Sequence, residues 1–344
     1  MASTMETARR LAPGLALATG IAVVATVIGR FLPVVGAPVS GVVLGAVIGM
    51  VRRPADSLKP GITTASKFVL QLAVVLLGAQ LSLAEVARVG VESLPVMLGT
   101  LVVCLLAAWG VGRLLGVVGN LRTLIGVGTG ICGASAIAAV TPVIGAVSVE
   151  VAYAVSTIFL FNVAAVIVFP IVGHALGMSQ HAFGLFAGTA VNDTSSVVAA
   201  ASTYGTQAAN FAVVVKLVRT LMIIPIVLGL AWLVGRRSSA TVDGAATAPA
   251  RWSFRRVWKL VPWFLTGFVI AAAVNSTGIL PGPVHPAIST VAAFLITVAL
   301  SAIGLSTDIA GFRRAGFRPL VLGLVLWVVV TGSSLGLMAL TGAL

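Results

Sequence analysis

The sequence predicts an all-α, polytopic membrane protein of about 9–11 transmembrane helices, and three observations carry that reading. Hydrophobic residues make up 59% of the chain and charged residues 8%, against roughly 25% charged in a soluble domain. Mean hydropathy is +1.15. The apolar runs have the length of about 20 residues that a helix needs to cross a hydrocarbon core, whereas a membrane β-barrel would show alternating segments of about 10.

Taken in order, the apolar segments fall at about 11–31, 36–51, 64–84, 92–115, 121–144, 149–173, 181–203, 208–235, 257–277, 286–305 and 317–341. The first reads as a crossing and not as a cleavable leader, because Ala16 to Phe31 runs directly into the second. The fourth and fifth hold Cys104 and Cys132, both in apolar surroundings where a disulfide framework is not expected. Between the eighth and ninth lies the longest polar connector, residues 236–259, with Arg236, Arg237, Arg251, Arg255, Arg256 and Lys259 around a Ser/Thr/Ala-rich stretch. It reads as a flexible cytoplasmic loop between two halves of a single transporter domain spanning 1–344.

The isoelectric point of about 11.5 raises nucleic acid as a partner, but the basic residues are scattered between hydrophobic runs, so none is expected. They orient the chain instead. With the N-terminus in the cytoplasm, alternate loops place Arg9, Arg10, Arg52, Arg53, Lys59, Lys67, Arg113, Arg122, the connector and Arg313, Arg314 and Arg318 inside; Arg30 and Arg88 stay outside. The localisation that follows is a bacterial plasma (inner) membrane.

Two internal repeats are visible. Leu81-Ser82, Pro95 and Gly99 recur with the same spacing as Leu305-Ser306, Pro319 and Gly323. Closer together, GTGICGASAIAA (128–139) lies over GTAVNDTSSVVAA (188–200), and each copy is followed by a helix with a Pro-Ile-Val, at Pro170 and Pro225. Such a Gly-rich, small-polar interruption within an apolar run predicts an unwound helix, which survives at membrane depth only against protein or a wet cavity. Two full crossings would run parallel; two re-entrant hairpins would enter from opposite faces as an inverted pair, the arrangement favoured here. The loop charges fit either.

At such breaks a half-helix N-terminus offers free N–H groups and about half a positive charge, which suits an anion. In the first copy the candidates are Gly130, Cys132, Gly133, Ala134 and Ser135. In the second, Asn192 and Asp193 read as N-caps for the half-helix Thr194 to Ala201, with Ser195 beside them. Asp193 is the one convincingly intramembrane carboxylate and the expected site of H⁺ or Na⁺ coupling. Lys216 and Arg219, three residues apart on one helix face, either pair with Asp193, meet an anionic substrate or snorkel outward. Asn162 and Gln80 are polar groups in apolar helices; they bond between helices or line the site. Glu150 is interfacial, and Asp308 reads as a loop or cap residue. His174, His181 and His285 fall at segment ends without ligand spacing, so no metal and no cofactor is expected.

LLGAQLSL, GTGICGASAIAAVTPVI, FGLFAGTAVNDTSSVVAAAS, AVVVKLVRTLMIIP and GLSTDIAGFRRAGFRPL together make the chain similar, over nearly its whole length, to the YeiH-type family of bacterial membrane proteins, usually labelled sulfate exporters. That family resembles in turn the bile-acid/sodium symporters and cation/proton antiporters. The resemblance implies inverted repeats, two discontinuous helices crossing near the midplane, and a core moving against a panel or homodimerisation unit. It marks Cys132 to Ser135, Asn192 to Ser195, Lys216 and Arg219 as the core site. Where many relatives carry a His-Glu pair this chain has Asn192-Asp193, so coupling through a histidine does not carry over.

The expected function is a secondary-active exporter of a small anion, sulfate or a related sulfur oxyanion or organosulfonate, working by alternating access. The alternative is a cation/proton antiporter using Asp193. An enzyme is not expected, since no HExxH site or paired buried carboxylate is present.

Overall fold

The computed structural model describes residues 2–31, 36–239, 263–306 and 317–344, and among these every regular element is helical. The elements are α1 (Ala2–Phe31), α2 (Gly36–Val51), α3 (Lys59–Thr64), a π-helical turn (Ala65–Val69), α4 (Leu70–Gly78), α5 (Leu83–Leu114), α6 (Gly119–Gly130), α7 (Ala134–Ile144) and α8 (Ser148–Ala175). They continue with α9 (Gln180–Ala190), α10 (Thr194–Tyr204), α11 (Thr206–Leu221), α12 (Ile223–Ser239), α13 (Trp263–Ser276), α14 (His285–Leu305) and α15 (Phe317–Leu340). Seven helical segments are long and apolar enough to cross a membrane: Arg9–Phe31, Lys59–Gly78, Leu83–Leu114, Ser148–Ala175, Thr206–Leu233, Gly282–Leu305 and Phe317–Leu340. The shorter α2 and α13 run alongside two of them.

The 236–259 connector needs one correction: residues 236–239 complete α12, because the helix continues through its two arginines. Residues 240–259, and with them most of the expected loop, lie outside the described residues, as do Asp308, Arg313 and Arg314.

Local chemistry sets several helix starts. Ser82 caps α5 through the Glu85 amide, and the Glu85 carboxylate accepts from the Ser82 amide at 2.7 Å. Glu150 accepts from the Val147 amide at 3.0 Å at the start of α8, which keeps its charge at the helix end as expected.

Contacts between helices fix the direction of each one. Gln71 in α4 accepts from the Trp263 indole at the start of α13, and Ser276 at the end of α13 accepts from the Leu83 amide, so α4 and α13 run parallel. Gly41, Gly45 and Gly49 of α2 face Thr297, Ser301, Gly304 and Leu305 of α14, again in parallel. A methyl on Gly45 or Gly304 would collide with backbone across this seam, so the glycines permit backbone contact without side chains between. By contrast α5 and α15 are antiparallel, with Gly99 against Leu337 and Gly112 against Leu322. It follows that Arg113, Arg122 and Arg318 share one end of the bundle, the end at which α1 and α3 also begin, since Gly14 lies on Gly61.

The two interrupted segments are hairpins, not crossings. Tyr204, closing α10, donates to the Met178 carbonyl just before α9 at 2.6 Å, and Gln180 accepts from the Gln207 amide at 3.1 Å. Both arms of α9–α10 therefore leave at one end, in a core with Phe169, Phe183, Phe186 and Phe211. Both arms of α6–α7 pack in a second core at the basic end, where Leu121, Leu124, Ile137 and Val140 join Ala154, Val227 and Leu322. The hairpins enter from opposite ends and meet at their tips.

Candidate functional site

Each tip is shaped by what its backbone cannot do as a helix. In the first, α6 stops at Gly130, Ile131 leaves the helical region, and Gly133 takes φ +67° and ψ −131°. That combination of angles is essentially reserved to glycine. In the second, Val191 and Asp193 are extended. Asp193 is the N-cap of α10: its Oδ2 accepts from the Ser195 amide at 3.0 Å and from the Ser195 hydroxyl. Asn192, expected to share that role, does not cap; it sits one residue too early. The Asp193 amide is served from α8 instead, donating to Asn162 Oδ1 at 3.3 Å. The tips touch, since a methyl on Gly133 would lie 3.3 Å from Asp193 Cβ.

Unwinding leaves carbonyls at the C-terminal ends of α6 and α9 without helical partners, and buried carbonyls of this kind must find donors. Lys216 and Arg219 of α11, both fully buried, supply them. Lys216 Nζ donates to the Ile131 carbonyl at 2.6 Å and to the Val191 carbonyl at 2.9 Å, one from each tip. Arg219 Nε donates to the Gly130 carbonyl at 2.7 Å, and its Nη1 to the Thr189 carbonyl. Two cations thus face the negative ends of two half-helices. Neither snorkels, and among the described residues no carboxylate lies within 4.0 Å of them, so of the three alternatives both snorkelling and an ion pair with Asp193 give way to backbone partners. The two carbonyls that Lys216 holds, Ile131 and Val191, stand at equivalent positions of the two tips, and one helix reaches both.

The N-terminal ends are treated differently. At α10 the negative Asp193 occupies the end, half-buried with Thr194 and Ser195. At α7 the N-cap residue is Gly133, which has no side chain to cap the helix, and Ala134 and Ser135 are exposed. Cys132 is buried with a free thiol, as is Cys104, which points at the Gly126 carbonyl. Two buried polar atoms of the crossing have no partner, Asn192 Oδ1 and Arg219 Nη2. Of the residues singled out in the sequence, Gly130, Cys132, Gly133, Ala134, Ser135, Asn192, Asp193, Thr194, Ser195, Lys216 and Arg219 all belong to the two tips or to the helix that holds them. Gln80 follows α4, its amide donating to the Leu77 carbonyl at 3.1 Å and its buried Nε2 without a partner. Thr189, whose hydroxyl bonds Ser334 at 2.7 Å and ties the second hairpin to α15, was signalled only by its match to Thr129 in the repeat. Among the described residues no group of three His, Cys, Asp or Glu stands in metal-binding proximity.

A family model described as conserved hypothetical protein 698 matches residues 13–323. The chain is 40% identical over 338 residues to a UPF0324 membrane protein of Streptococcus pyogenes serotype M3, covering 97% of this chain and 98% of that one. It is 40% identical over 343 residues to one of Streptococcus mutans serotype c (96% and 97% covered) and 39% identical over 349 residues to one of Fusobacterium nucleatum (96% and 98%). The chain belongs to this conserved hypothetical 698, or UPF0324, family of membrane proteins, with which its YeiH-type resemblance is consistent.

Proposed function

We propose that the protein is a secondary-active transporter that exports a small anion by alternating access, with the crossed hairpin tips as its binding site. The observation that carries this is the division of labour at the crossing. Lys216 and Arg219 occupy the negative helix ends, while the amides of α7 at Ala134 and Ser135 remain uncapped and uncovered. Repeat geometry supports it: the hairpin-plus-helix units α6–α8 and α9–α12 enter from opposite ends, and we read them as an inverted repeat.

The two units also differ in a way that alternating access requires. α10 packs against α2 and α14, and Val197 to Ala201 are buried. α7 packs mainly on α6, α8 and α12, and its face of Ser135, Ala138 and Pro142 is exposed from the tip towards the basic end. With the basic end in the cytoplasm of a bacterial plasma membrane, as the positive-inside rule directs, this is an inward-open form. The cation/proton antiporter reading is weaker, because the crossing holds two cationic side chains and one carboxylate.

The test is counterflow of labelled sulfate, sulfite and small organosulfonates by purified protein in liposomes, under imposed pH and Na⁺ gradients. Saturable exchange of at least one anion, abolished by Lys216→Gln with Arg219→Gln, is the expected result. Cation exchange with no anion exchange would overturn the reading.

A further inference from the structure

The charge of the crossing specifies the charge of its ligand. Four half-helix ends meet there, two negative (α6, α9) and two positive (α7, α10), and their partial charges of about half a unit each cancel. What is left is Lys216 and Arg219, both fully buried, against the half-buried Asp193, a net charge of about +1. Among the described residues no other ionised side chain faces Asp193. α11 presents Lys216 and Arg219, the α6–α7 link presents the Cys132 thiol, and α8 presents the neutral Asn162. The titratable residues of α8, α9, α10 and α14 (Glu150, Tyr153, His174, His181, Tyr204, His285) stand at helix ends away from the tips. α2 carries none.

The Asp193 carboxylate has a free oxygen. Oδ2 is engaged by the Ser195 amide and hydroxyl, while Oδ1 is turned to the other tip, 3.6 Å from where a Gly133 methyl would sit. The unpartnered Asn192 Oδ1 and Arg219 Nη2 show that the polar capacity of the crossing is not exhausted by the protein itself.

We infer that the site binds its anion as a neutral complex: a monoanion with Asp193 ionised, and a dianion only with a proton on Asp193 Oδ1, so that a dianion crosses together with one proton. This rests on the transporter reading. The proton comes from water on the side where the dianion binds, is held on Oδ1 during the crossing, and is released with the dianion.

Two probes of similar shape and different charge separate the cases: methanesulfonate, a monoanion, and sulfate, a dianion, each between pH 6 and 8. In liposomes containing the wild-type protein and a pH-sensitive dye, sulfate exchange is expected to rise as pH falls, by up to about tenfold per pH unit as one bound proton dictates. In net sulfate efflux down an imposed sulfate gradient, where no proton returns on a counter-moving sulfate, one proton should leave per sulfate. Methanesulfonate exchange is expected to be flat with pH and to move no proton. In Asp193→Asn the site charge is about +2, so sulfate exchange should lose its pH dependence and its proton. Equal pH profiles for the two anions, or net sulfate efflux without proton movement in the wild type, would overturn the inference whether or not the variant folds. Absence of exchange for both anions at every pH would instead remove the transporter reading on which it stands.

Discussion

Replacing Gly133 by alanine tests the geometry of the crossing directly. At φ +67° and ψ −131° the residue lies outside even the left-handed helical well that other residues occasionally visit, and forcing a Cβ there costs about 1–3 kcal/mol. The added methyl would also press on Asp193 Cβ at 3.3 Å, tighter than an ordinary van der Waals contact, so the two tips must separate by a few tenths of an ångström. Gly145 provides the control: it has φ +64° and ψ 34°, a methyl there meets nothing within 4 Å, and alanine in that well costs about 1–2 kcal/mol. Unfolding of both variants in mixed detergent micelles, beside anion exchange in liposomes, gives the comparison. Gly133→Ala and Gly145→Ala should lose similar stability, and only Gly133→Ala should lose most of its exchange. If Gly133→Ala exchanges at the wild-type rate, or Gly145→Ala fails to the same extent, the contact between the tips is not what shapes the site.

Four further outcomes are expected. Ser135→Cys should react with a membrane-impermeant thiol reagent much faster than the buried Cys104 and Cys132, read as a mass shift. Arg219→Lys should abolish exchange despite keeping the charge, because an ammonium cannot reproduce the planar fork shared between the Gly130 and Thr189 carbonyls. Ser334→Ala should cost no more than about 0.6 kcal/mol in micelle unfolding, since the Thr189 hydroxyl keeps the Leu185 carbonyl at 2.7 Å. Tyr204→Phe, which removes the bond to Met178, should cost about 1 kcal/mol and raise hydrogen exchange in α10 before it affects α7.

The sequence disclosed the helices and the interruptions more readily than their directions. Apolar length alone located every span, and the glycines around Cys132 together with Asn192-Asp193 marked both tips, because unwinding demands those residue types. Hairpins could not be told from crossings: two hairpins and two crossings leave the same loops on the same sides, so Arg113, Arg122 and the connector arginines are satisfied either way. The contact of Tyr204 with Met178 decides it, and nothing in either residue announces that bond. Lys216 and Arg219 were visible as cations within an apolar helix, but neither their burial nor their partners were, since a backbone carbonyl leaves no letter in the sequence. The same holds for the α2–α14 seam, although the four-residue spacing of Gly41, Gly45 and Gly49 was a readable sign of close helix approach.

The Lys216 ammonium has a mechanical consequence. Because one nitrogen holds a carbonyl from each tip, the two hairpins cannot drift apart without stranding buried oxygens, and they move as a single rigid body riveted to α11. Any rearrangement that exposes the crossing to the opposite side must then be carried by the seams around that body, among them the one where α10 meets α2 and α14.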